Sequence, residues 1–244
     1  QVDVAAGRPN LVKVCPRESK AQVLIGCLNK LYVAVAHDDS TLVTGTRWAV
    51  SDITPAGIST ITDTIGPDLG RIPAAKAWWA TVLGNTIVVG RGGGLDEPAF
   101  IWDRNPAHVA TAIANCPHRA VGAMMSPNQH LILIGCEDES LGYTGLTARW
   151  ANQGTVDQWA SDTLSTAGAR EMAGSGSRLI GGGWTAFGGT VWTDGDLWAL
   201  QEMNDAEFIF KPQLLSGETG LAAQNLWCEH PGALWYLGPD MLMR

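Results

Sequence analysis

One arrangement recurs along this chain and restricts what it can become. A short apolar run is followed by a tight turn, a second apolar run, another turn and a third run. In the first unit these are Gln22–Cys27, Leu31–Ala36 and Thr41–Val50. Taking Leu31, Ile87, Leu131, Val191 and Leu234 as equivalent second-run positions, the units recur 56, 44, 60 and 43 residues apart. The five units span 22–50, 77–103, 120–152, 178–201 and 224–243, and in four of them the third run carries a tryptophan: Trp48, Trp102, Trp150 and Trp198. The runs are short and bounded by Gly, Pro, Asn and Asp, the strand and hairpin signal, and Asp194-Gly195 is a favoured two-residue hairpin turn. Only His108–Ala114, between Pro106 and Pro117, suggests a turn or two of helix.

A period of about 40–60 residues with three or four strands per unit is the mark of a β-propeller blade, a sheet that cannot bury both faces alone. A β-sandwich has the same strand count but need not repeat itself, so the recurring tryptophan favours blades. The expectation is an all-β, propeller-like domain over 1–244, a length able to bury a sizeable core. Glycine is abundant at 29 residues, and the charged share of 16% falls below the usual quarter or so. Both suit short strands and tight turns, and both argue against disorder. The first residue is Gln1 and the last, Arg244, follows a strand-like run. Both ends read as cut, so a piece of a longer polypeptide is expected.

The net charge of −8, with 16 scattered basic residues, works against a phosphate-binding groove, which needs clustered Lys and Arg. No run approaches the roughly 18 apolar residues of a membrane helix. Cys15, Cys27, Cys116, Cys136 and Cys228 are odd in number and lack C-x-x-C spacing. They read as buried free thiols in a reducing compartment rather than a disulfide framework.

Each group with chemical potential has a plainer reading beside it. Cys116-Pro117-His118 and Cys228-Glu229-His230 could pair as four zinc ligands, but the spacing is not that of structural zinc motifs. His37-Asp38-Asp39 and Glu137-Asp138-Glu139 could offer oxygens to calcium, yet lack the regular alternation of a calcium loop and read as solvated turns. The glycine runs 92–94 and 181–183 sit among strands and open no helix, so they read as turns or close backbone approaches rather than phosphate cradles. A propeller glycosidase would need two convergent carboxylates. Asp103, Asp157, Asp194 and Asp196 are candidates that nothing in the sequence brings together, and Thr193-Asp194-Gly195-Asp196-Leu197-Trp198 resembles a sialidase-type Asp box only loosely. Neither a G-x-S-x-G elbow nor an H-E-x-x-H is present. The reading is therefore no enzyme and no cofactor. The eleven tryptophans read as core wedges before they read as a glycan-stacking platform. Trp78-Trp79 stands apart, because adjacent strand residues face opposite ways and at most one can join a given core.

The second half of the chain resembles a family of tailed-bacteriophage virion proteins, the tail-hub or packaged-DNA stabilisation proteins of short-tailed phages. Pro127–Gly135 is followed by Arg149-Trp150-Ala151-Asn152-Gln153-Gly154 and Val156-Asp157-Gln158-Trp159. Then come Ser165–Gly168, Gly176–Gly182, Val191-Trp192-Thr193-Asp194 and Asp196–Gln201. Phe208-Ile209-Phe210, Gly217, Gly220-Leu221 and Ala233–Gly238 complete the order. Arg149, Trp150, Gln153, Trp159, Trp192, Asp194 and Trp198 form the signature. The resemblance covers about 98–244, whereas residues 1–97 match only in β character. The chain departs from the family at Asp205–Phe210, where an aromatic-rich run with two prolines is usual, and at Thr219, where a cysteine is common.

That resemblance implies a structural protein of the virion tail or neck, assembled in the host cytoplasm into a ring of copies below the portal. Its partners would be further copies, the portal or adaptor and other tail proteins, with packaged DNA near the channel but not specifically bound. An acidic lining of that ring would repel phosphate. The rival expectations are a glycan- or receptor-binding propeller with Trp78 or Trp79 exposed, and a propeller glycosidase.

Overall fold

The computed structural model describes residues 9–16, 21–36, 48–61, 77–92, 95–138, 142–203, 209–230, 233–239 and 242–243. Among them there is no helix. Blade 1 is an antiparallel meander of β1 (Leu11–Cys15), β2 (Gln22–Gly26), β3 (Leu31–Ala36) and β4 (Trp48–Asp52). Blade 2 repeats the order with β5 (Trp78–Leu83), β6 (Thr86–Arg91), β7 (Phe100–Trp102) and β8 (Thr111–Ala112). Blade 3 begins with β9 (Gly122–Met125) and β10 (Leu131–Ile134). A small hairpin of β11 (Glu137–Asp138) and β12 (Gly142–Tyr143) then interrupts it before β13 (Thr147–Trp150) and β14 (Gly168–Glu171) complete the sheet. Blade 4 comprises β15 (Leu179–Thr185), β16 (Gly188–Thr193), β17 (Asp196–Glu202) and β18 (Phe210–Gly217). Blade 5 has β19 (Trp227–His230), β20 (Ala233–Leu237) and β21 (Leu242–Met243).

The first strands of the blades stand side by side, β1 against β5, β5 against β9 and β9 against β15. Together with the approach to β19 they enclose one central cavity. Five antiparallel sheets radiating from a shared axis make this an all-β, five-bladed β-propeller.

The blades are held face to face by apolar layers, and the period of two decides which layer each residue joins. On β6, Ile87 and Val89 enter the core between blades 1 and 2, while Val88 enters the core between blades 2 and 3. On β10, Leu131 and Leu133 face blade 2, and Ile132 and Ile134 face blade 4. A sheet buried on both faces needs an unbroken apolar run, which is why these strands read TIVVG and LILI. The outer strands are more polar. Pro212 is tolerated in β18 because an edge strand can leave one side of its ladder unpaired; among the described residues β18 pairs only with β17.

Blade 1 differs from the expected phase. Leu11–Cys15 is its first strand, so Leu31 lies on the third strand, whereas Ile87, Leu131, Val191 and Leu234 lie on second strands. Trp48 accordingly sits on the fourth strand and is exposed, while Trp102, Trp150 and Trp198 occupy third strands and are buried. The apolar alternation Leu11–Cys15, closed by Pro16, is legible in the sequence, but its membership of the first unit is not. The expected helical turn near His108 is a hydrogen-bonded turn, His108 N donating to Asn105 O at 2.9 Å, followed by β8. Residues 41–47 of the expected third run lie outside the described residues, as do His37-Asp38-Asp39, Gly93-Gly94 and Glu139.

Two buried arginines pin blade 2 to blade 1. Arg91 pairs with Glu97 and donates to Leu28 O at 3.2 Å and Ser59 O at 2.7 Å, its guanidinium 5.7 Å from the Trp78 ring centre. Arg104 donates to Gln22 Oε1 at 2.9 Å, Cys15 O at 2.9 Å and Pro16 O at 2.7 Å. Both satisfy carbonyls that the short strands leave unpaired, as buried polar groups require.

Candidate functional site

The central cavity measures about 460 Å³. That is the size of a small-molecule pocket. All five blades line it, through Leu11–Lys13, Trp79–Val82, Gly122–Met125 and Gly181–Trp184, then Gln224, Asn225 and Trp227. The glycines of β15 let blade 5 come close: a Cβ on Gly181 would lie 2.7 Å from Gln224 O, and one on Gly183 would enter the Trp227 ring. Asn225 Nδ2 then donates to Trp78 O at 3.3 Å and Asn10 O at 3.5 Å, drawing the inner ends of blades 5, 1 and 2 together.

Lys13 is the one charged residue among the lining residues, which include no carboxylate. Its Nζ donates to Ala80 O at 2.5 Å, and burial pushes the ammonium below the usual lysine range. Gln224, only 5% exposed, borders the same space with neither carboxamide atom hydrogen-bonded. Sequence reading missed this site because its residues come from five separate strands and share no motif.

The signature residues form framework. Arg149 is buried and donates to Trp159 O at 2.9 Å. Trp150 is buried, with its indole N–H on Thr166 O at 2.7 Å and its ring 5.0 Å from that of Phe210. Trp159 joins the core between blades 2 and 3, Trp198 that between blades 3 and 4, and Trp192 that between blades 4 and 5. Gln153 is exposed and contributes its backbone N–H to Thr166 Oγ1.

Asp194 and Asp196 hold the loop 174–177. Asp194 accepts from Ser177 N at 2.6 Å and Ser177 Oγ at 2.5 Å; Asp196 accepts from Ser175 Oγ at 2.5 Å and Gly176 N at 2.8 Å. Burial raises both carboxyls, but these hydrogen bonds outweigh it and leave them below the usual carboxylate range. Asp103 pairs with His108 at 2.6 Å on the surface, and Asp157 is exposed in the loop before β14. None of the four candidate carboxylates lines the central cavity.

The other candidates separate in the same way. Cys116 is buried and its thiol is pushed up to about 12 by burial, while His118 turns to Asp96 at 2.7 Å. Cys228 is exposed on β19, which corrects the expectation of five buried thiols; the other four are buried. The described residues contain no group of three or more His, Cys, Asp and Glu that could hold a metal. Glu137 and Asp138 pair across β11–β12 instead of forming a loop. Trp78 and Trp79 are 0% and 4% exposed, so neither ring is a surface platform.

No protein-family model matches the chain, and no curated protein does. Six chains of solved structures match. One of them, described as the structure of Dos1 propeller, aligns at 10% identity and a TM-score of 0.44, over 96% of this chain and 66% of that one. The chain thus spans just under two thirds of that structure. A likeness this distant adds no argument of its own; the propeller rests on the strand order and the shared inner cavity.

Proposed function

We propose that this propeller is a non-enzymatic structural protein of a phage tail or neck, acting by protein–protein contact in a ring of copies that meets the portal and helps retain packaged DNA. The observation that carries the contact role is a set of exposed apolar side chains on the two end blades, 1 and 5. Blade 1 turns Val12, Val14, Trp48 and Val50 to solvent, Val12 being 67% and Val14 63% exposed. Their registers, Val12 opposite Ile25, Ala34 opposite Val50 and Ala36 opposite Trp48, place them on one face of the sheet. Blade 5 leaves Leu237 and Leu242, a cross-strand pair, similarly exposed. Exposed apolar side chains grouped on one side of a sheet mark interaction sites. The kind of assembly comes from the sequence resemblance over 98–244, whose quoted residues fall mainly on buried framework, as expected where a family shares architecture rather than a reaction.

In this reading the DNA-proximal channel is that of the ring, not the propeller's own cavity. Light scattering with negative-stain imaging of the purified chain tests it. A closed ring that Val14→Glu with Val50→Glu converts to monomer supports the proposal. A monodisperse monomer at every concentration, with no affinity for portal or adaptor protein, overturns it.

A further inference from the structure

Among the described residues, the cation at the central cavity faces no counter-charge. A lysine half-buried among apolar and neutral walls is costly unless it is paired, yet its partner among the described residues is one carbonyl, Ala80 O. An ammonium carries three donors, so the pairing leaves capacity facing a space lined by no carboxylate. The loss of solvation that lowers the Lys13 pKa is also what would strengthen its attraction to an anion brought inside. A second, independent observation lies at the same cavity: the Gln224 carboxamide is buried with both its donor and its acceptor unused. A buried polar group left in that state is destabilising until a partner is supplied.

We propose that the central cavity binds a small organic carboxylate. The carboxylate pairs with Lys13, and the apolar body lies among the half-buried Val82, Met125, Trp184 and Trp227 of the lining. A rotation of the Gln224 side chain would let its carboxamide serve a second polar atom of the ligand. The site mixes an apolar wall with few polar anchors, as small-molecule pockets do. It does not depend on the assembly reading, since the lining residues named all belong to one chain.

Phenylacetate and its neutral isostere phenylacetamide are suitable probes, followed by tryptophan fluorescence and calorimetric titration. Saturable binding of phenylacetate is expected in the millimolar range or tighter, with phenylacetamide about 10- to 100-fold weaker. Lys13→Met should weaken phenylacetate by a similar factor while leaving phenylacetamide unchanged, and Lys13→Arg should retain binding. Equal affinity for acid and amide, or undiminished binding by Lys13→Met, overturns the proposal, as does the lack of any saturable signal. If Lys13→Met does not fold, reductive methylation of the wild-type chain decides the matter by mass spectrometry. Phenylacetate should protect Lys13 and phenylacetamide should not; equal labelling counts against the site.

Discussion

Trp78 and Trp79 are adjacent in the chain and lie in different cores. Trp78 packs between blades 1 and 2, with its indole N–H on Cys27 O at 2.5 Å; Trp79 packs between blades 2 and 3, with its indole N–H on Ala120 O at 3.1 Å. Blade 2 is thus wedged on both faces from two successive positions of one strand. Glycines across the sheets admit the rings: a Cβ on Gly26 would lie 2.6 Å from Trp78 Cβ, and one on Gly90 would enter the Trp79 ring.

Each tryptophan changed to alanine is expected to cost about 3–5 kcal/mol, the range for large aromatic truncations. Because the two cavities open in separate cores, the double variant should be additive within about 0.5 kcal/mol despite the adjacency. Urea denaturation of the two single variants and the double variant measures this. Strong coupling between the two would mean that the cores do not respond independently.

The buried pair of Arg91 and Glu97 links the blade 1–2 interface to the loop after β6. Glu97→Ala removes the carboxylate paired with a buried guanidinium, and should destabilise by about 3–5 kcal/mol. Raising the salt concentration should change that loss little, since buried pairs are poorly screened. A loss below about 1 kcal/mol, typical of surface pairs, would show that the pair is solvated.

Acid should release the loop 174–177. Asp194 and Asp196 have folded pKa values below their unfolded ones. The folded state therefore binds fewer protons, and the contribution is complete above the unfolded value of about 4 and lost as pH falls through the folded values. Denaturation midpoints measured from pH 5 to pH 2 should fall more steeply for the wild type than for Asp194→Asn with Asp196→Asn. Parallel profiles would count against it.

His130 predicts a second, milder pH dependence. Its imidazole is buried, 3.1 Å from Glu202 Oε1 on blade 4 and 3.1 Å from Thr166 Oγ1, and burial lowers its pKa against the raising pull of Glu202. A lowered histidine favours the folded state fully above about 6.5, and that contribution drains away as pH falls toward the folded value. Glu202→Gln should lower the folded pKa further, moving the His130 imidazole titration, followed by NMR, to lower pH. An upward move would contradict the assignment.

The thiols offer a direct check on burial. Burial pushes Cys116 and Cys136 up to about 12, Cys15 and Cys27 are enclosed too, and Cys228 is exposed. A thiol reagent at neutral pH should label Cys228 rapidly in the native chain and all five cysteines only after denaturation, because the thiolate is the reactive form. Fast native labelling of Cys116 or Cys136 would show that the blade 2–3 core opens.

Strand character, turn positions and the recurrence of the blade were legible in the chain because each is local. A run such as LILI between turn residues reads as a short strand with two buried faces, and Asp194-Gly195 as the tight connection between two strands. The phase of blade 1 was not legible: β1 looks like a stray alternation until β2 is seen to pair with it. The tryptophans were legible as wedges, but not the core that each one serves, since that depends on the sheet stacked against it.

The chemistry divides in the same way. Asp194 and Asp196 look like candidate catalytic groups in one dimension, and folding commits both to a serine-glycine loop. Lys13, Gln224 and Trp227 look unrelated in one dimension, and folding gathers them at one cavity. By itself the sequence determined that the chain is all-β and built of recurring sheets, since hydrophobic period and turn chemistry act within a few residues. Only the tertiary structure decided which side chains meet at the axis and which apolar side chains remain exposed. Burial on the second face of a sheet is a property of its neighbour, which no local pattern specifies.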